Sequence, residues 1–288
     1  MLGSSGMELD RLLAAVRRRR ELHAARARAA GGEGVPVTAR ASGGVPARAS
    51  APVTGGASEG VVLDVRDVGG TVRILRVARP PGFTFQAGQA IKLGLPGVAL
   101  RRTYSIASAP HEAHLEFCIE RVPGGRLSSR LFALAPGARL ELAPKPKGSF
   151  ALQSGKSLHL MVATVTGIAP LRSLLRAALA APGSSGQYWI LHGASYADEL
   201  PYADELSQLG QSEPRVRYLP SVSRPGAPRN AGWPGRLGRV DAQAVATAQS
   251  LGAPEEVAVY ACGHPEMVRN VRNALGPFGY AVSGEDFG

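Results

Sequence analysis

The stretch HLMVATVTGIAPLRSLLR, residues 159–176, constrains the fold of this chain more than any other segment. An apolar run from His159 to Ala163 leads into a short polar turn, and an amphipathic stretch follows. That order is typical of a buried strand, a tight loop and a helix. Because free N–H groups at a helix N-terminus bind anions, the turn at residues 164–167 is a candidate phosphate loop. An ordinary strand-to-helix turn is the alternative, since Val165 stands where a glycine is expected.

Strand-like and helical patterns alternate through the rest of the second half. The runs HLMVAT, YWILHGA, VRYLPSV and VAVYACG alternate with helical stretches around 169–181, 198–210, 240–251 and 264–275. They predict an α/β domain over residues 154–288, built on a doubly wound parallel sheet that binds ligands at its strand C-termini. Residues 60–153 instead carry short alternating runs between Gly- and Pro-containing turns, which predict a small antiparallel β-barrel.

Residues 1–59 form a basic tail of different composition. Residues 7–30 predict a short helix, and the Gly, Pro, Ala, Ser and Thr that dominate 31–60 predict a flexible linker. The net charge of +11 makes nucleic acid a candidate partner. Arginine is concentrated in the tail, however, and few aromatic residues lie between the other basic residues to stack bases. We therefore expect no specific nucleic-acid binding. The tail is a candidate docking arm for a partner or a membrane surface, and a solvated extension is the favoured alternative.

Other classes of protein are excluded by composition. No stretch approaches the apolar length of a membrane span, and arginines stand where a secretory signal needs apolar residues. Cys118 and Cys262 are too few for a disulfide framework, a four-thiolate iron–sulfur cluster or a Cys-rich zinc site. We expect a cytoplasmic protein without a metal site.

Two segments of the first half carry side chains that bind phosphates and ring systems. Strand alternation in RTYSIAS, residues 102–108, places Arg102 and Tyr104 on one face and Ser105 on the other. An arginine fork can hold a pyrophosphate, and a tyrosine ring can pack on a planar ring system. The segment GGRLSSRL, residues 124–131, joins a strand to a short helix whose first N–H groups can hold a second phosphate. Each segment also has a simpler interpretation when taken alone. The first can be an exposed arginine beside a half-buried tyrosine, and the second can be a common helix start.

Together these segments resemble the flavin domain of the ferredoxin–NADP reductase family, and VPGGRLSSRL is most similar to its bacterial branch. The family motifs Arg-x-Tyr-Ser and Gly-x-x-Ser are matched at residues 102–105 and 125–128. The resemblance implies a six-stranded antiparallel barrel that binds FAD. It places Arg102 and Ser128 on the pyrophosphate, Tyr104 on the isoalloxazine and Ser105 near flavin N5. The flavin contacts it implies are Arg102, Thr103, Tyr104, Ser105, Gly125, Leu127 and Ser128.

The second half is similar to the same family. ATVTGIAP is similar to the family's Gly-Thr-Gly-Ile-Ala-Pro loop, and YACGHPEM, residues 260–267, to its Cys-Gly-x-x-x-Met segment. The coenzyme contacts implied are Thr164, Thr166, Gly167, Ile168, Pro170, Cys262, Gly263 and Met267, with Cys262 and Gly263 at the nicotinamide. A buried thiol beside an ordinary helix start is the alternative. We expect Val165, which replaces the first glycine of the loop, to extend the strand and point into the core; a valine that narrows the space over the pyrophosphate is the alternative.

Basic residues favour NADP over NAD as the coenzyme. A doubly wound domain that selects NADP needs cations near the ribose 2′-phosphate. The family's Ser-Arg and Gly-Arg positions are matched by Ser223, Arg224 and Arg239, and Arg236 is a neighbouring candidate. A third basic contact of some bacterial members falls at Ser195 and is missing. Unrelated surface arginines are the alternative.

The chain ends in VSGEDFG, where Glu285 and Phe287 match the family's Glu-x-aromatic unit. The resemblance implies that the Phe287 ring stacks over the flavin; a frayed last turn is the alternative. The residues expected around the reacting atoms, and so named catalytic, are Ser105, Cys262, Glu285 and Phe287.

Over roughly residues 60–288 the resemblance implies an NAD(P)H-dependent flavoprotein reductase. Such an enzyme moves a hydride from NADPH to FAD N5 and passes electrons singly to a separate acceptor, such as ferredoxin or flavodoxin. A reductase component of an oxygenase and a flavin or quinone reductase that uses NADH are alternatives within this class. A non-enzymatic module with a nucleic-acid-binding tail is the alternative outside it. We expect a monomer.

Overall fold

The computed structural model describes residues 58–286. The predicted tail helix, most of the predicted linker and Phe287 lie outside the described residues. None of the described helices is long and apolar enough to cross a membrane.

The first half forms an antiparallel barrel. Its strands are β1 (Ser58–Val68), β2 (Val72–Ala78), β3 (Ala90–Gly94), β4 (Arg102–Ser105), β5 (His114–Glu120) and β6 (Arg139–Leu142), in the order β4-β3-β6-β1-β2-β5. A bridge between Ile106 and Phe117 joins the chain after β4 to β5 and closes the sheet. Inward-facing side chains such as Leu75, Leu93 and Phe117 fill the interior. The predicted six-stranded barrel is confirmed, and a short helix, α1 (Ser128–Leu131), precedes β6.

The second half is a parallel sheet covered on both faces. Its strands are β7 (Leu158–Thr164), β8 (Gln187–Ala194), β9 (Val216–Val222), β10 (Arg236–Leu237), β11 (Val257–Gly263) and β12 (Val282–Asp286), in the order β10-β9-β8-β7-β11-β12. Helices α2 (Ile168–Ala180) and α3 (Ala203–Ser212) pack on one face, and α4 (Val240–Leu251) and α5 (Pro265–Leu275) on the other. Both faces of this sheet are apolar, because neighbouring residues along β7 point to opposite faces. Met161 packs in the cluster on one face and Leu160 in the cluster on the other. The predicted doubly wound fold is confirmed.

Three details of this half differ from the sequence pattern. The edge strands β10 and β12 were not anticipated, because one has two residues and the other, VSGED, has little apolar alternation. The helix expected around 198–210 begins only at Ala203, after a 3₁₀ turn at Ala197–Glu199 and a left-handed Tyr202.

Val165 packs towards the core as expected but does not extend its strand, so the expected strand conformation is wrong. Strand β7 ends at Thr164, and Val165 begins a 3₁₀ turn, Val165–Gly167, with a φ of +43°. Its half-buried side chain packs against the cluster beneath α2. The chain must turn here to start α2, and that demand outweighs the preference of a β-branched residue for extended backbone.

Helix α2 ties the barrel to the parallel sheet. The buried Arg172 guanidinium donates to the Ala107 carbonyl at 2.8 Å and to the Glu205 carboxylate at 2.9 Å. The next residue, Ser173, donates to the Ser108 carbonyl at 2.7 Å. Because these bonds join a helix of one half to the backbone after β4, they fix β4 relative to the start of α2.

Candidate functional site

Strand β4 presents three of the predicted flavin-binding side chains. Arg102 is exposed, Tyr104 is half-buried, and Ser105 is 6% exposed and paired in register with Ala90 of β3. The Arg102 guanidinium donates to the Arg101 carbonyl at 3.2 Å and forms no ion pair with a described carboxylate. Burial raises the pKa of Tyr104, so its ring is neutral.

The Ser105 hydroxyl is buried and has no hydrogen-bond partner among the described residues. A buried polar atom without a partner costs free energy, so native structures rarely retain one without a functional reason. A ligand that offers hydrogen-bonding atoms beside β4 removes that cost. The site therefore fits a heteroaromatic group such as a flavin.

The turn before α1 is held together by Ser128. Its hydroxyl oxygen accepts from the Val122 N–H at 3.3 Å, and a Cβ on Gly125 would overlap that hydroxyl. Since a hydroxyl also carries one donor, the Ser128 hydrogen stays available for a phosphate oxygen. Leu127 is buried in the barrel core, so only its backbone can reach a ligand.

The loop after β7 packs directly on the end of β11. A Cβ on Gly167 would overlap the Cys262 carbonyl oxygen, and a Cβ on Gly263 would overlap Thr164. The Thr164 hydroxyl oxygen accepts from the His264 N–H at 2.9 Å. Gly167 has an ordinary φ, so close approach rather than backbone freedom requires a glycine there.

An open cavity of about 260 Å³ lies at the C-terminal ends of β7, β8, β9 and β11. Four predicted coenzyme residues line it: Thr164, Ser223, Arg239 and Met267. Thr166, Ile168 and Pro170 are buried at the start of α2 and do not line this cavity. Sequence analysis missed Asp241, His264 and Glu266, which also line it. The helix-start patterns at residues 240 and 264 could have indicated these three residues, because residues in the first turn of such a helix lie near the end of the preceding strand.

The two arginines assigned to the 2′-phosphate have different surroundings. Arg239 pairs with Asp241 at 3.1 Å and with Glu266 at 3.3 Å, and its hydrogen bond to Asp241 raises its pKa. Arg224 forms no ion pair with a described carboxylate; it donates to the Tyr196 hydroxyl at 2.9 Å. Arg236 is partly buried, which lowers its pKa, and it donates to Gln243 at 3.1 Å.

Cys262 and Glu285 are direct neighbours across β11 and β12. The Cys262 side chain is fully buried, and burial, together with the Glu285 charge, raises the pKa of its thiol. Burial likewise raises the pKa of Glu285. The Glu285 Oε1 atom lies 3.7 Å from where a Cβ on Gly148 would stand, and Gly148 approaches Ala90, the partner of Ser105. Strand β12 thus brings Glu285 to the barrel, whereas Phe287 lies outside the described residues.

The described residues contain no cluster of three or more His, Cys, Asp or Glu side chains that could hold a metal ion.

Comparisons with known proteins agree with this architecture. An oxidoreductase FAD-binding domain model matches residues 60–152, and an oxidoreductase NAD-binding domain model matches residues 161–273. Ferredoxin--NADP reductase B of Sorangium cellulosum is 40% identical over 223 residues, covering 74% of this chain and 89% of that protein. A ferredoxin--NADP reductase of Pseudomonas aeruginosa is 32% identical over 238 residues, covering 77% and 90%.

Among solved structures, a ferredoxin NADP+ reductase from Neisseria gonorrhoeae with bound FAD and NADP superposes with a TM-score of 0.69. It is 25% identical, over 80% of this chain and 98% of that one. Fold and family models together define a flavin-dependent, pyridine-nucleotide-linked oxidoreductase. The chain belongs to the ferredoxin–NADP reductase family, with an FAD-binding domain and a pyridine-nucleotide-binding domain.

Proposed function

We propose that this chain oxidises NADPH at bound FAD and delivers the electrons to a separate, acidic ferredoxin or flavodoxin. The observation that carries the proposal is the meeting of the two halves. The orphaned Ser105 hydroxyl of the barrel lies in a strand pair that Gly148 approaches, and the Glu285 carboxyl of β12 reaches Gly148. When bound, FAD supplies a ring that accepts a hydride and releases electrons one at a time.

On the flavin side the barrel binds and orients. Arg102 holds the pyrophosphate, since its guanidinium has no competing described carboxylate, and Ser128 donates its free hydroxyl hydrogen to the same group. Tyr104 packs its neutral ring on the isoalloxazine, and Ser105 hydrogen-bonds at its reactive edge. Thr103, Gly125 and Leu127 contribute backbone contacts.

On the coenzyme side the parallel sheet binds NADP at its C-terminal ends. The proposed pyrophosphate site is the loop Thr164, Thr166 and Gly167 with the start of α2, Ile168 and Pro170. Backbone N–H groups of this turn bind the anion, whereas Pro170, which has none, shapes the first helical turn. Ser223, Arg224 and Arg239 bind the ribose 2′-phosphate. Ser223, Arg239 and Met267 line the cavity, and Gly263 packs against Thr164, which also lines it.

Cys262, Glu285 and Phe287 complete the site where nicotinamide meets flavin. Because burial keeps the Cys262 thiol protonated, it packs against the nicotinamide as a neutral group. Glu285 has a raised pKa and can hold a proton near the flavin edge. Phe287, which lies outside the described residues, is the proposed aromatic residue that would stack on the flavin. In this proposal residues 60–153 bind FAD and residues 154–288 bind NADP.

The charge on the barrel supports an acidic partner. Lys92, Lys145 and Lys147 are exposed around β3 and the segment after β6, close to Gly148; we call them the lysine patch. Complementary charge raises association rates between redox partners. We propose that a ferredoxin or flavodoxin docks on this patch, and that the protein acts as a cytoplasmic monomer.

The cofactor assignment is tested by colour. The purified protein should be yellow, and NADPH should bleach it without air. A colourless chain that cannot be reconstituted with FAD would overturn the enzymatic function.

The acceptor is tested with a charge reversal. The double variant Lys145→Glu with Lys147→Glu should raise the KM for ferredoxin or flavodoxin about tenfold at low salt, because the docking charge is inverted. A neutral quinone, which needs no protein docking and is not steered by charge, is the control acceptor and should be reduced at the unchanged rate. An unchanged KM for both proteins would remove the patch from the proposal.

A further inference from the structure

His192 of β8 is a wholly buried imidazole with both ring nitrogens engaged. Its Nε2 lies 3.0 Å from the Val165 carbonyl oxygen, and its Nδ1 lies 3.0 Å from the Tyr218 hydroxyl of β9. Burial lowers the pKa of His192 to about 4, so the ring is neutral near pH 7. Neither flavin nor coenzyme binding, as described above, uses this residue.

The hydrogen-bond partners fix the tautomer of this ring. A carbonyl oxygen can only accept, so Nε2 carries the hydrogen and donates it to Val165. Nδ1 is then an acceptor, and the Tyr218 hydroxyl donates to it. Burial raises the pKa of Tyr218, which keeps that donor protonated. The chain Tyr218–His192–Val165 therefore runs in one direction across two strands into the nucleotide loop.

Val165 needs such support because its backbone is strained. A φ of +43° is costly for a β-branched residue, whose Cβ crowds the backbone in the left-handed region. Strained residues persist where the surrounding structure holds them in place. On its other side the loop is fixed by Gly167 against the Cys262 carbonyl, so the His192 bond is the matching restraint from β8.

We propose that His192, oriented by Tyr218, is a positioning residue that holds Val165 in the left-handed conformation and so fixes the loop for the NADP pyrophosphate. The proposal rests on the proposed function, since it takes the cavity lined by Val165 and Gly193 to be the coenzyme site. A glycine would adopt this positive φ without strain, but the loop has a valine there. The hydrogen bond from the buried imidazole instead stabilises the strained backbone of Val165.

The experiment measures binding of two ligands to the oxidised, FAD-loaded protein by titration calorimetry. NADP+ spans the loop with its pyrophosphate, whereas 2′-AMP carries only the adenosine and its 2′-phosphate. His192→Phe keeps a ring of similar size but removes both nitrogens. It should weaken NADP+ about tenfold, the equivalent of one lost buried hydrogen bond, and change 2′-AMP less than about twofold.

A second variant separates positioning from packing. In a Val165→Gly background the loop can adopt a positive φ unaided, so adding His192→Phe should cost NADP+ affinity less than about threefold. Tyr218→Phe removes only the orienting hydroxyl and should weaken NADP+ about threefold. It decides the question if His192→Phe does not fold.

Three results would overturn the proposal: unchanged NADP+ affinity in His192→Phe and Tyr218→Phe, equal weakening of both ligands, or the same penalty with glycine at position 165. A wild-type protein that binds neither NADP+ nor 2′-AMP would instead sink the proposed coenzyme site, so the two failures are distinguishable.

Discussion

The flavin side and the coenzyme side of the site differ in what their polar groups do in the protein itself. On the barrel, the Ser105 hydroxyl has no described partner and Arg102 no described carboxylate. At the ends of the parallel strands, Arg239 is paired with two carboxylates and the Val165 carbonyl is bonded to His192. Among the described residues, these flavin-side groups lack partners that a ligand can supply, whereas Arg239 and the loop on the coenzyme side already have theirs, although Arg224 has no described carboxylate.

This difference suits the two cofactors. A buried polar atom without a partner has already lost its hydration. A ligand that hydrogen-bonds to it therefore gains binding free energy without a further desolvation cost at that atom, and it dissociates slowly. A ligand that must share Arg239 with Asp241 and Glu266 gains less, because part of its binding free energy replaces an existing ion pair. We therefore expect FAD to stay bound through turnover while NADP exchanges.

The largest test of this contrast is Arg102→Ala. The Arg102 guanidinium has no described carboxylate partner, and only one of its hydrogen bonds is spent on the Arg101 carbonyl, so its loss should weaken FAD binding about 100-fold. The measurement is FAD fluorescence on dilution of the holoprotein. Arg101→Ala is the matched control, because Arg101 already pairs with Glu141, and it should change FAD affinity less than about threefold. Equal losses would mean that Arg102 has no special role.

Arg224→Ala tests the coenzyme side and should have a smaller effect. The Arg224 guanidinium is held by the Tyr196 hydroxyl but not by a described carboxylate, so it can bind a phosphate. We expect the KM for NADPH to rise about tenfold while the KM for NADH is unchanged, since NADH lacks the 2′-phosphate. Steady-state rates with both coenzymes measure this, and equal rises would refute the assignment.

Glu266→Gln should strengthen coenzyme binding, the opposite of the effect expected for Arg224→Ala. Removing this carboxylate charge frees part of Arg239 for the phosphate, so the Kd for NADP+ should fall about threefold. The affinity for NAD+, which has no 2′-phosphate, is the internal control. A weaker or unchanged NADP+ complex would show that Arg239 does not face the coenzyme.

Sequence patterns predicted the parts of this molecule that depend on local periodicity. The barrel strands, the four inner strands of the parallel sheet and the starts of α4 and α5 follow from alternation and helix-start residues, whereas the edge strands β10 and β12 do not. The ion pair of Arg239 with Glu266 was hidden, because it joins residues 27 positions apart through the meeting of two strand ends. The restraint on Val165 was hidden for the same reason: His192 looks like one polar residue in an apolar strand until β7 and β8 are paired.

The smallest effect concerns Glu285, which the parallel sheet carries to the barrel. Burial raises its pKa above the usual 4.5, so the folded state holds this proton more tightly than the unfolded state. Between that value and the raised pKa the folded state binds more protons, and stability falls as pH rises through this window. Below it, both states are protonated and the burial cost vanishes.

Glu285→Gln removes this dependence, because an amide does not titrate. The Tm of the variant, measured on the holoprotein between about pH 4 and pH 8, should match the wild type at the acid end and exceed it by a few degrees at the upper end. An advantage that instead grows towards acid would mean that Glu285 gains stability from its charge, as a group paired with a cation does. That result would also exclude Glu285 as a group that holds a proton where the coenzyme meets the flavin. Glu285 would then no longer connect the coenzyme side to the flavin side in the proposed function.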